Sequence, residues 1–468
     1  MKFTDHKTVE DLKIAYIGGG SQGWAWGLMS DLAAAEDISG KVALYDIDLE
    51  AAKKNEIIGN KFNDIPESKS HWDYYAVETL EEALIGADFV VISILPGTFD
   101  EMHSDVHTPE KYGIWQPVGD STGPGGIIRA LRTIPMMEVI AKGVEQCCPD
   151  AWVINYTNPM ALCVRAMYDT FPKIKCFGCC HEVFSTKKLL ADMLYELRGI
   201  EGVTREDVKV NVLGVNHFTW INEATWHGMD LMPIFKEFCN GYVGKDYEGS
   251  KDNNWMNKAF MGGCKIKFEL FRRFGYIAAA GDRHLAEFCN RKWFLTDPEQ
   301  VKEFGFALTT VDSRRTMQKE RLEKGEKLLS GEENVEITPT GEEDVLQIRA
   351  LLGLTELITN VNLPNEGQIP NLPLGAVVET NAIFRDGCLK PVFAGNIPAE
   401  IEPLIRRNAC AQLQVAKAAR ERDIGQAFVP FVNDPLMDLS TADAKALFEE
   451  MIENTKAYLT EYPAIGKA

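Results

Sequence analysis

LKIAYIGGGSQG, residues Leu12 to Gly23, decides how the first half of this chain folds. Its first seven residues are rich in β-branched and aromatic side chains, which predicts a buried strand. The glycines that follow form a G-x-G-x-x-G pattern at Gly18, Gly20 and Gly23. Such glycines let the chain turn tightly and approach a pyrophosphate, whose charge is met by the free N–H groups of the next helix. The stretch therefore predicts a strand, a turn and a helix around a dinucleotide.

An acidic residue at the expected place supports the dinucleotide hypothesis. Asp46 ends the second predicted strand, 46 − 23 = 23 residues beyond Gly23, where its carboxylate would accept hydrogen bonds from an adenosine ribose. A 2′-phosphate would be repelled there, so the sequence predicts NAD and not NADP. Other predicted cofactor-binding residues are Ser21, Gln22 and Asn155. A glycine-rich turn that binds no nucleotide is the alternative interpretation.

Short apolar runs alternate with helical patterns from Leu12 to about Cys179, which is typical of βαβ units. The predicted strands are Leu12 to Gly18, Lys41 to Asp46, Tyr74 to Val77, Ala87 to Ile94, Ala151 to Thr157 and Ile174 to Cys179. The predicted helices are Gln22 to Ala35, Leu49 to Phe62, Gly126 to Glu145, Pro159 to Thr170 and Val183 to Arg198. Six such strands fit one doubly wound parallel sheet, so the fold class is α/β.

The pattern changes after about residue 200. A strand-like run from Asp207 to Ile221 precedes mostly helical sequence, which is broken between Asn362 and Thr380. We therefore predict a Rossmann NAD-binding domain over residues 1–200, followed by an α+β domain over residues 201–468. The segment from Leu95 to Gly125 is long for a loop that joins a strand to a helix, and such loops are commonly functional. The charged segment from Gln318 to Asp344 is predicted as a solvated helix and loop.

Composition limits the possible partners. The 468 residues include 49 Lys plus Arg and 69 Asp plus Glu, a formal net charge of −20. Such a chain is repelled by phosphate backbones and anionic lipid, which argues against binding to nucleic acid or membranes. The sequence shows neither a membrane span nor a signal peptide, and its 11 cysteines are an odd number typical of reduced thiols. These features predict a cytoplasmic protein that binds a small molecule.

Three further segments carry residues that a hydrophobic core does not need. They are Gly119 to Arg129, Asn155 to Pro159 and Cys179 to Val183, and the last two follow predicted strands. Because ligands of open α/β sheets bind at the carboxyl ends of the strands, these segments are expected to converge beside the cofactor. Cys180, His181 and the later His217 offer soft and borderline metal ligands, and a shell of one thiolate and one imidazole would leave positions open for substrate oxygens. Core packing is the ordinary alternative for a single cysteine.

Seven motifs, in order from about Leu12 to Thr380, resemble those of glycoside hydrolase family 4. They are GGGSQGW, GDSTGPGGIIRALRTIP, NYTNP, CCHEV, GVNHFTW, FGYIAAAGDRHLAEF and NLPNEGQIPNLP. The resemblance implies a Rossmann domain similar to that of lactate and malate dehydrogenases, joined to an α+β domain, and a dimer or tetramer. It also implies NAD⁺ and Mn²⁺ as cofactors. The family is an exception to the two-carboxylate mechanism of glycosidases.

The implied reaction begins with hydride transfer from C3 of the sugar to NAD⁺. The resulting ketone acidifies the C2 proton, and a metal ion bound to the C2 and C3 oxygens stabilises the enolate. Loss of that proton expels the glycosidic oxygen, water adds at C1, and NADH returns the hydride. The cofactor is therefore regenerated in each turnover.

Carried over residue by residue, the resemblance assigns Cys180 and His217 as metal ligands and Asn158 as a ligand of the substrate hydroxyls. It assigns Tyr276 as the general base, which requires a lowered pKa because a free phenol titrates near 10. Asp120 stands where relatives carry a Glu that raises the basicity of this tyrosine. Outside the family resemblance, Tyr276 would be interpreted as a core aromatic and Asp120 as a turn residue.

The motif that begins at Cys180 varies with substrate in this family. Cys180, His181, Glu182 and Val183 resemble the version associated with α-galacturonidases. His181 is the predicted general acid and Glu182 a predicted substrate-binding residue, although a glutamate here could also cap the following helix. Arg283 is the predicted partner of a sugar carboxylate, because a bidentate arginine suits that group best.

The sequence therefore predicts an α-galacturonidase that acts on short uronides such as pectin fragments. An α-glucuronidase or α-glucosidase of the same family is the nearest alternative. A 2-hydroxy-acid dehydrogenase is a second alternative, and a nucleotide-binding or redox-sensing module without catalysis is a third.

Overall fold

The computed structural model describes residues 1–4, 7–247, 249 and 263–463 and contains two β-sheets. The strands are β1 (Lys2–Phe3), β2 (Val9–Ile17), β3 (Ile38–Tyr45), β4 (Trp72–Val77), β5 (Phe89–Ile92), β6 (Trp152–Asn155), β7 (Lys175–Gly178), β8 (Lys209–Val215), β9 (Phe218–Trp226), β10 (Met229–Asp230), β11 (Ile277–Ala278), β12 (Leu357–Pro364), β13 (Val377–Arg385) and β14 (Cys388–Pro391). Ten of them form one sheet, and β8 to β11 form the other.

The large sheet contains the predicted doubly wound core. Its parallel strands run in the order β4-β3-β2-β5-β6-β7. This is the 3-2-1-4-5-6 order of the Rossmann fold, with its switch point between β2 and β5. All six predicted strands are present, and most of their residues are buried because helices cover both faces of the sheet. The predicted α/β class is therefore confirmed.

Helices of the described residues are distributed over the whole chain. They are α1 (Trp24–Ala34), α2 (Leu49–Lys61), α3 (Leu80–Leu84), α4 (Phe99–His107), α5 (Gly123–Cys147), α6 (Met160–Thr170), α7 (Glu182–Arg198), α8 (Met232–Gly241), α9 (Lys265–Phe274), α10 (Asp282–Phe288), α11 (Arg291–Phe294), α12 (Pro298–Glu303), α13 (Val311–Ser330), α14 (Asp344–Leu351), α15 (Glu402–Arg420), α16 (Ile424–Val432) and α17 (Thr441–Thr455). Short 3₁₀ turns cover Phe62–Asp64, Pro109–Tyr112 and Lys456–Tyr458.

The segment from Leu95 to Gly125 is not a plain loop, because α4 occupies its centre. Helix α4 begins with a capping box at Thr98. The Thr98 side chain accepts a hydrogen bond from the backbone of the first turn, and the Glu101 side chain accepts one from the Thr98 N–H. A buried ion pair then fixes α4 to α5, since the Arg132 guanidinium meets the Asp105 carboxylate with side-chain exposures of 0% and 1%. The insertion is therefore a structured wall beside the carboxyl ends of the strands.

The second half of the chain contributes strands to the same sheet. β12 pairs antiparallel with β7, and β13 and β14 extend the sheet beyond it. The large sheet thus crosses residue 200, where we predicted a domain boundary, and that boundary stays a prediction. The run from Asp207 to Ile221 was predicted as one strand, which is wrong, because a turn at Asn216 and His217 divides it into the antiparallel pair β8 and β9.

None of the helices in the described ranges has both the length and the apolar character needed to span a membrane. All eleven cysteines are free thiols.

Candidate active site

The glycine-rich loop after β2 has the shape of a dinucleotide cradle. Gly18 has a φ of +95°, and a Cβ atom there would lie 2.0 Å from the Ser93 carbonyl oxygen. The backbone N–H of Gly20 donates to Asp46 Oδ2 at 2.9 Å, so the loop and the predicted ribose ligand are already in contact. Helix α1 begins directly beyond Gly23, at Trp24. The backbone can therefore approach a pyrophosphate closely, and the loop fits a dinucleotide.

A residue that the sequence analysis missed holds this loop. Asn55 of α2 is 1% exposed, and its Nδ2 donates to the carbonyl oxygens of Gly19 and Ser21 at 2.7 and 2.9 Å. Its Oδ1 accepts a hydrogen bond from Trp26 Nε1 at 2.8 Å. An asparagine in a polar helix pattern gives no local signal of such a role.

The two asparagines of the NYTNP motif differ in their contacts. Asn155 is fully buried, and its side chain bonds the backbone of Thr157 through both amide atoms, so it shapes its own turn. Asn158 instead points toward the GDSTG loop, where its Nδ2 donates to Asp120 Oδ2 at 3.4 Å. Its Oδ1 is buried and has no hydrogen-bond partner among the described residues. Asn158 therefore keeps an acceptor for a ligand, as its predicted role requires.

One group of three metal-type ligands occurs in the parts of the chain that the structure describes. It comprises Asp120, His217 and His284, whose ligand atoms all lie within 4.8 Å of one another. His217 occupies the turn between β8 and β9 with a φ of +63°. Its ring stacks on that of His284 with the centroids 3.8 Å apart and the planes at 12°. The turn thus places the predicted ligand His217 beside Asp120.

Hydrogen bonds fix which nitrogen of His217 can bind a metal. Ser121 Oγ donates to Asp120 Oδ1 at 2.7 Å, and the same oxygen lies 2.9 Å from His217 Nδ1. Because the Ser121 hydroxyl already donates its hydrogen bond to Asp120, it accepts a hydrogen bond from His217 Nδ1–H. The lone pair of His217 therefore lies on Nε2. Burial and the stacked His284 lower the pKa of His217 to about 3, which keeps the imidazole neutral. A neutral imidazole oriented by a second hydrogen bond is the form that metals bind.

Cys180 lies just beyond β7 and is buried, but it is not a member of that group of three. Burial raises the pKa of its thiol well above the usual range, and the carboxylate of Glu379 adds to the effect. Glu379 lies on β13, fully buried, and accepts from Asn360 Nδ2 at 2.7 Å and from Thr219 Oγ1 at 2.9 Å. Asn360 Nδ2 also donates to the Cys180 carbonyl at 3.1 Å. Glu379, which sequence reasoning missed, thus links the Cys180 backbone, through Asn360, to Thr219 on β9.

His181 has a buried carboxylate partner. Its Nδ1 lies 2.9 Å from Glu342 Oε1, and the Glu342 side chain is only 6% exposed. Burial alone would lower the pKa of His181, but Glu342 outweighs it and raises the pKa to about 9. The His181 ring also stacks on that of Trp24, which directly follows the dinucleotide loop, and the two ring centroids are 6.3 Å apart. Glu342 belongs to the segment predicted as solvated, and that prediction is wrong at this residue.

Glu182 is not open toward a ligand. Its Oε2 accepts from the backbone N–H of Gly281 at 2.6 Å, and its Oε1 lies 2.9 Å from His284 Nδ1. Burial would raise the pKa of this carboxyl, but His284 outweighs burial and holds it well below the usual range. Glu182 therefore connects the start of α7 to the start of α10 and orients His284. It neither caps its own helix nor extends into the cleft.

The structure does not bring Tyr276 to these residues. β11 follows Tyr276 and pairs antiparallel with β9, with Ile277 opposite Ile221 and Ala278 opposite Trp220. Continued by one residue, this register places Tyr276 opposite Asn222, five positions along the chain from His217, and the Tyr276 ring packs against the hydrophobic core. Gly281, at the other end of the segment, is the residue that reaches the site.

Two arginines face the GDSTG loop from different helices. Arg129 of α5 is buried, and its Nε donates to the Asn158 carbonyl at 3.0 Å. Arg283 of α10 is half-buried, and its Nη1 donates to Thr309 Oγ1 at 2.6 Å. Thr309 in turn donates its backbone N–H to the Pro117 carbonyl at 2.9 Å, so the predicted carboxylate ligand Arg283 is linked to the segment that precedes the GDSTG loop.

Comparison with known proteins identifies the family of this chain. The model of family 4 glycosyl hydrolases matches residues 13–196, and the model of the family's C-terminal domain matches residues 212–437. An α-galacturonidase of Thermoanaerobacterium saccharolyticum is 59% identical, with 98% of each chain covered. The crystal structure of lplD from Bacillus subtilis superposes with a TM-score of 0.90 at 49% identity, covering 95% of this chain and all of the other. A 6-phospho-β-glucosidase from Thermotoga maritima, solved with manganese, NAD⁺ and glucose-6-phosphate, shares the fold at 23% identity and a TM-score of 0.76, with 96% and 99% of the two chains covered.

Proposed function

The chain belongs to family 4 of the glycosyl hydrolases and is a glycosidase, and we propose that it is an α-galacturonidase that uses NAD and Mn²⁺. One observation carries this proposal. The group formed by Asp120, His217 and His284 contacts Asn158, which follows β6. It therefore lies at the carboxyl end of a parallel strand, the edge of the sheet that the dinucleotide loop also occupies and where ligands of this fold bind. The identity with a whole-length α-galacturonidase supports the choice of sugar.

The residues of the dinucleotide loop, from Gly18 to Gly23, would hold NAD together with Asp46. His217 and Cys180 would hold the metal, with Asp120 and Ser121 fixing the orientation of the His217 ring. When bound, NAD⁺ supplies a hydride acceptor and Mn²⁺ a Lewis acid for sugar hydroxyls. Soft and borderline ligands of this kind suit a transition metal.

The protein's own groups have separate tasks. Asn158 Oδ1 accepts a hydrogen bond from a hydroxyl group of the sugar and so fixes the position of the sugar ring. His181 holds a proton on its imidazole, which is paired with Glu342, and donates it to the leaving oxygen. Tyr276 lies away from this group of residues, so we assign the role of general base to His284, which Glu182 orients. Arg283 binds the carboxylate of the uronide.

We also propose that the enzyme works in the cytoplasm on short uronides such as pectin fragments, as a dimer or tetramer. Eleven free cysteines suit a reducing compartment. The family resemblance supports the oligomer.

The test is release of nitrophenol from nitrophenyl α-D-galacturonide, with and without NAD⁺, Mn²⁺ and a thiol reductant. We expect release only when all three are present, and little release from the matching glucuronide and galactoside. Release without cofactors would contradict the mechanism. Preference for the glucuronide would instead identify an α-glucuronidase.

A further inference from the structure

Arg314 is a cation for which the sequence analysis predicted no role. It lies in the first turn of α13, and its Nη2 donates to the Val118 carbonyl at 3.4 Å, next to the GDSTG loop. Its Nε is buried and has no hydrogen-bond partner among the described residues. Since buried guanidinium nitrogens are normally bonded, this arginine has donor capacity that the protein itself does not use.

Arg283 and Arg314 are held on the same wall of the cleft. Arg283 bonds the side chain of Thr309, whose backbone N–H donates to the Pro117 carbonyl at 2.9 Å, and Arg314 bonds Val118, the next residue. The two guanidinium groups repel each other, since after burial it is Arg314 that most lowers the pKa of Arg283. Two like charges held together in this way favour an anion between them.

The acidic groups nearby are already engaged. Glu287 accepts the backbone N–H groups of Val118 and Gly119 at 2.7 and 2.8 Å, and burial raises its pKa to about 7. Asp120 accepts hydrogen bonds from Ser121 and Asn158. Arg129, Arg283 and Arg314 therefore face three carboxyl groups, those of Asp120, Glu182 and Glu287, and Glu287 is only partly ionised near neutral pH.

We propose that Arg283 and Arg314 form a pair that binds the carboxylate of the substrate sugar, with Arg314 as a specificity-determining residue. This inference rests on the proposed function, because it assumes a uronide substrate. A carboxylate offers two oxygens and about four acceptor positions, enough for both guanidinium groups at once. A neutral hexose offers no charge to the two guanidinium groups, so the pair selects for the acid over the corresponding alcohol.

The test compares the wild-type enzyme, Arg314→Gln and Arg314→Lys, each loaded with NAD⁺ and Mn²⁺. The substrates are nitrophenyl α-D-galacturonide and its methyl ester, which removes the charge of the acid and adds one methyl group. We expect Arg314→Gln to raise KM for the acid about 10- to 100-fold with a smaller change in kcat, because a charge-assisted bond is lost. The ester should be unaffected, and Arg314→Lys should recover part of the loss.

Arg315→Gln is the matched control. Arg315 follows Arg314 on α13, but its guanidinium pairs with Asp100 and Asp312 at the surface, so the variant should behave like wild type. Equal losses for acid and ester in Arg314→Gln would overturn the inference. So would weaker NAD binding with unchanged sugar binding, which would place Arg314 at a dinucleotide phosphate.

A binding measurement separates this inference from the proposed function. Calorimetry of D-galacturonate and D-galactose with the same proteins needs no turnover. If wild type fails to hydrolyse the galacturonide but binds galacturonate more tightly than galactose, and Arg314→Gln abolishes that preference, the proposed function fails while the arginine pair stands. If the preference survives in Arg314→Gln, or wild type shows none, the pair is wrong.

Discussion

Replacing Glu182 with Gln tests whether this residue supports the site from behind or contacts the substrate. The carboxylate accepts from Gly281 N–H and from His284 at 2.6 and 2.9 Å, and both contacts are buried. A glutamine keeps one oxygen and presents an NH₂ group to the second donor, so one charge-assisted hydrogen bond is lost. Such a bond is worth about 1.5–3 kcal/mol, which corresponds to an opening equilibrium about 10- to 100-fold larger.

The assay is hydrogen–deuterium exchange of the Gly281 amide, which is itself one of the two donors. We expect its exchange to accelerate by about 10- to 100-fold in Glu182→Gln, and kcat to fall because His284 is no longer oriented. The ratio of kcat/KM for galacturonide over galactoside should not change. Glu196→Gln, on the exposed face of the same helix and bonded only to Tyr242 among the described residues, should change neither quantity. Unchanged exchange at Gly281 together with a lost preference for the galacturonide would refute the reasoning.

Four further predictions concern single residues. Asp105→Asn should lower the free energy of unfolding in urea by about 3–5 kcal/mol, because Arg132 stays buried without its charge partner; a loss below about 1 kcal/mol would contradict this. Gly20→Ala should weaken NADH binding in a fluorescence titration by about tenfold or more, since the new Cβ would lie 2.7 Å from Ala51 Cβ and 2.9 Å from Asp46 Oδ2, and unchanged binding would argue against the cradle. Ser121→Ala should lower Mn²⁺ affinity by about 10- to 100-fold in a calorimetric titration, since the His217 tautomer is no longer fixed; full affinity would exclude the hydrogen-bond chain. Tyr276→Phe should keep kcat within about threefold of wild type, whereas a general base is worth about 10²–10⁴-fold, so a loss of that size would restore Tyr276 to the site.

The strand, the glycine turn and the acid at Asp46 were predictable because each depends on local chemistry. A buried parallel strand needs a run of apolar residues, and a tight turn against Ser93 needs a glycine with positive φ at Gly18. Six strands with helices between them then permit few topologies, because crossover connections are right-handed. The sequence therefore predicted one doubly wound parallel sheet, and the structure supplies the order of its strands.

Partners from distant parts of the chain were not predictable in this way. Glu342 lies in a segment whose charged composition is typical of a solvated helix and loop, yet it is buried against His181. Glu379 lies in a strand that the sequence presented only as a break between helices, yet it is buried and bonded to Thr219 and to Asn360, which also bonds the Cys180 carbonyl. A buried carboxylate is stable only when donors meet it. The partner of Glu342 is His181, and a donor to Glu379 is Thr219, and each lies at least 160 positions away in the sequence. Nothing local distinguishes such a residue from a solvated one.

The same difficulty explains how an acidic chain can bind an acidic sugar. The net charge of −20 describes the field far from the protein, where salt screens it within about 8 Å at physiological ionic strength. Inside the cleft, Arg129, Arg283 and Arg314 lie around a single loop, and each loses hydration through burial. A guanidinium that has lost water gains more from a carboxylate than an exposed one does, because the local dielectric constant is lower. The choice of substrate therefore depends on which few cations are buried, and the surplus of acidic residues over the rest of the surface does not oppose it at contact distance.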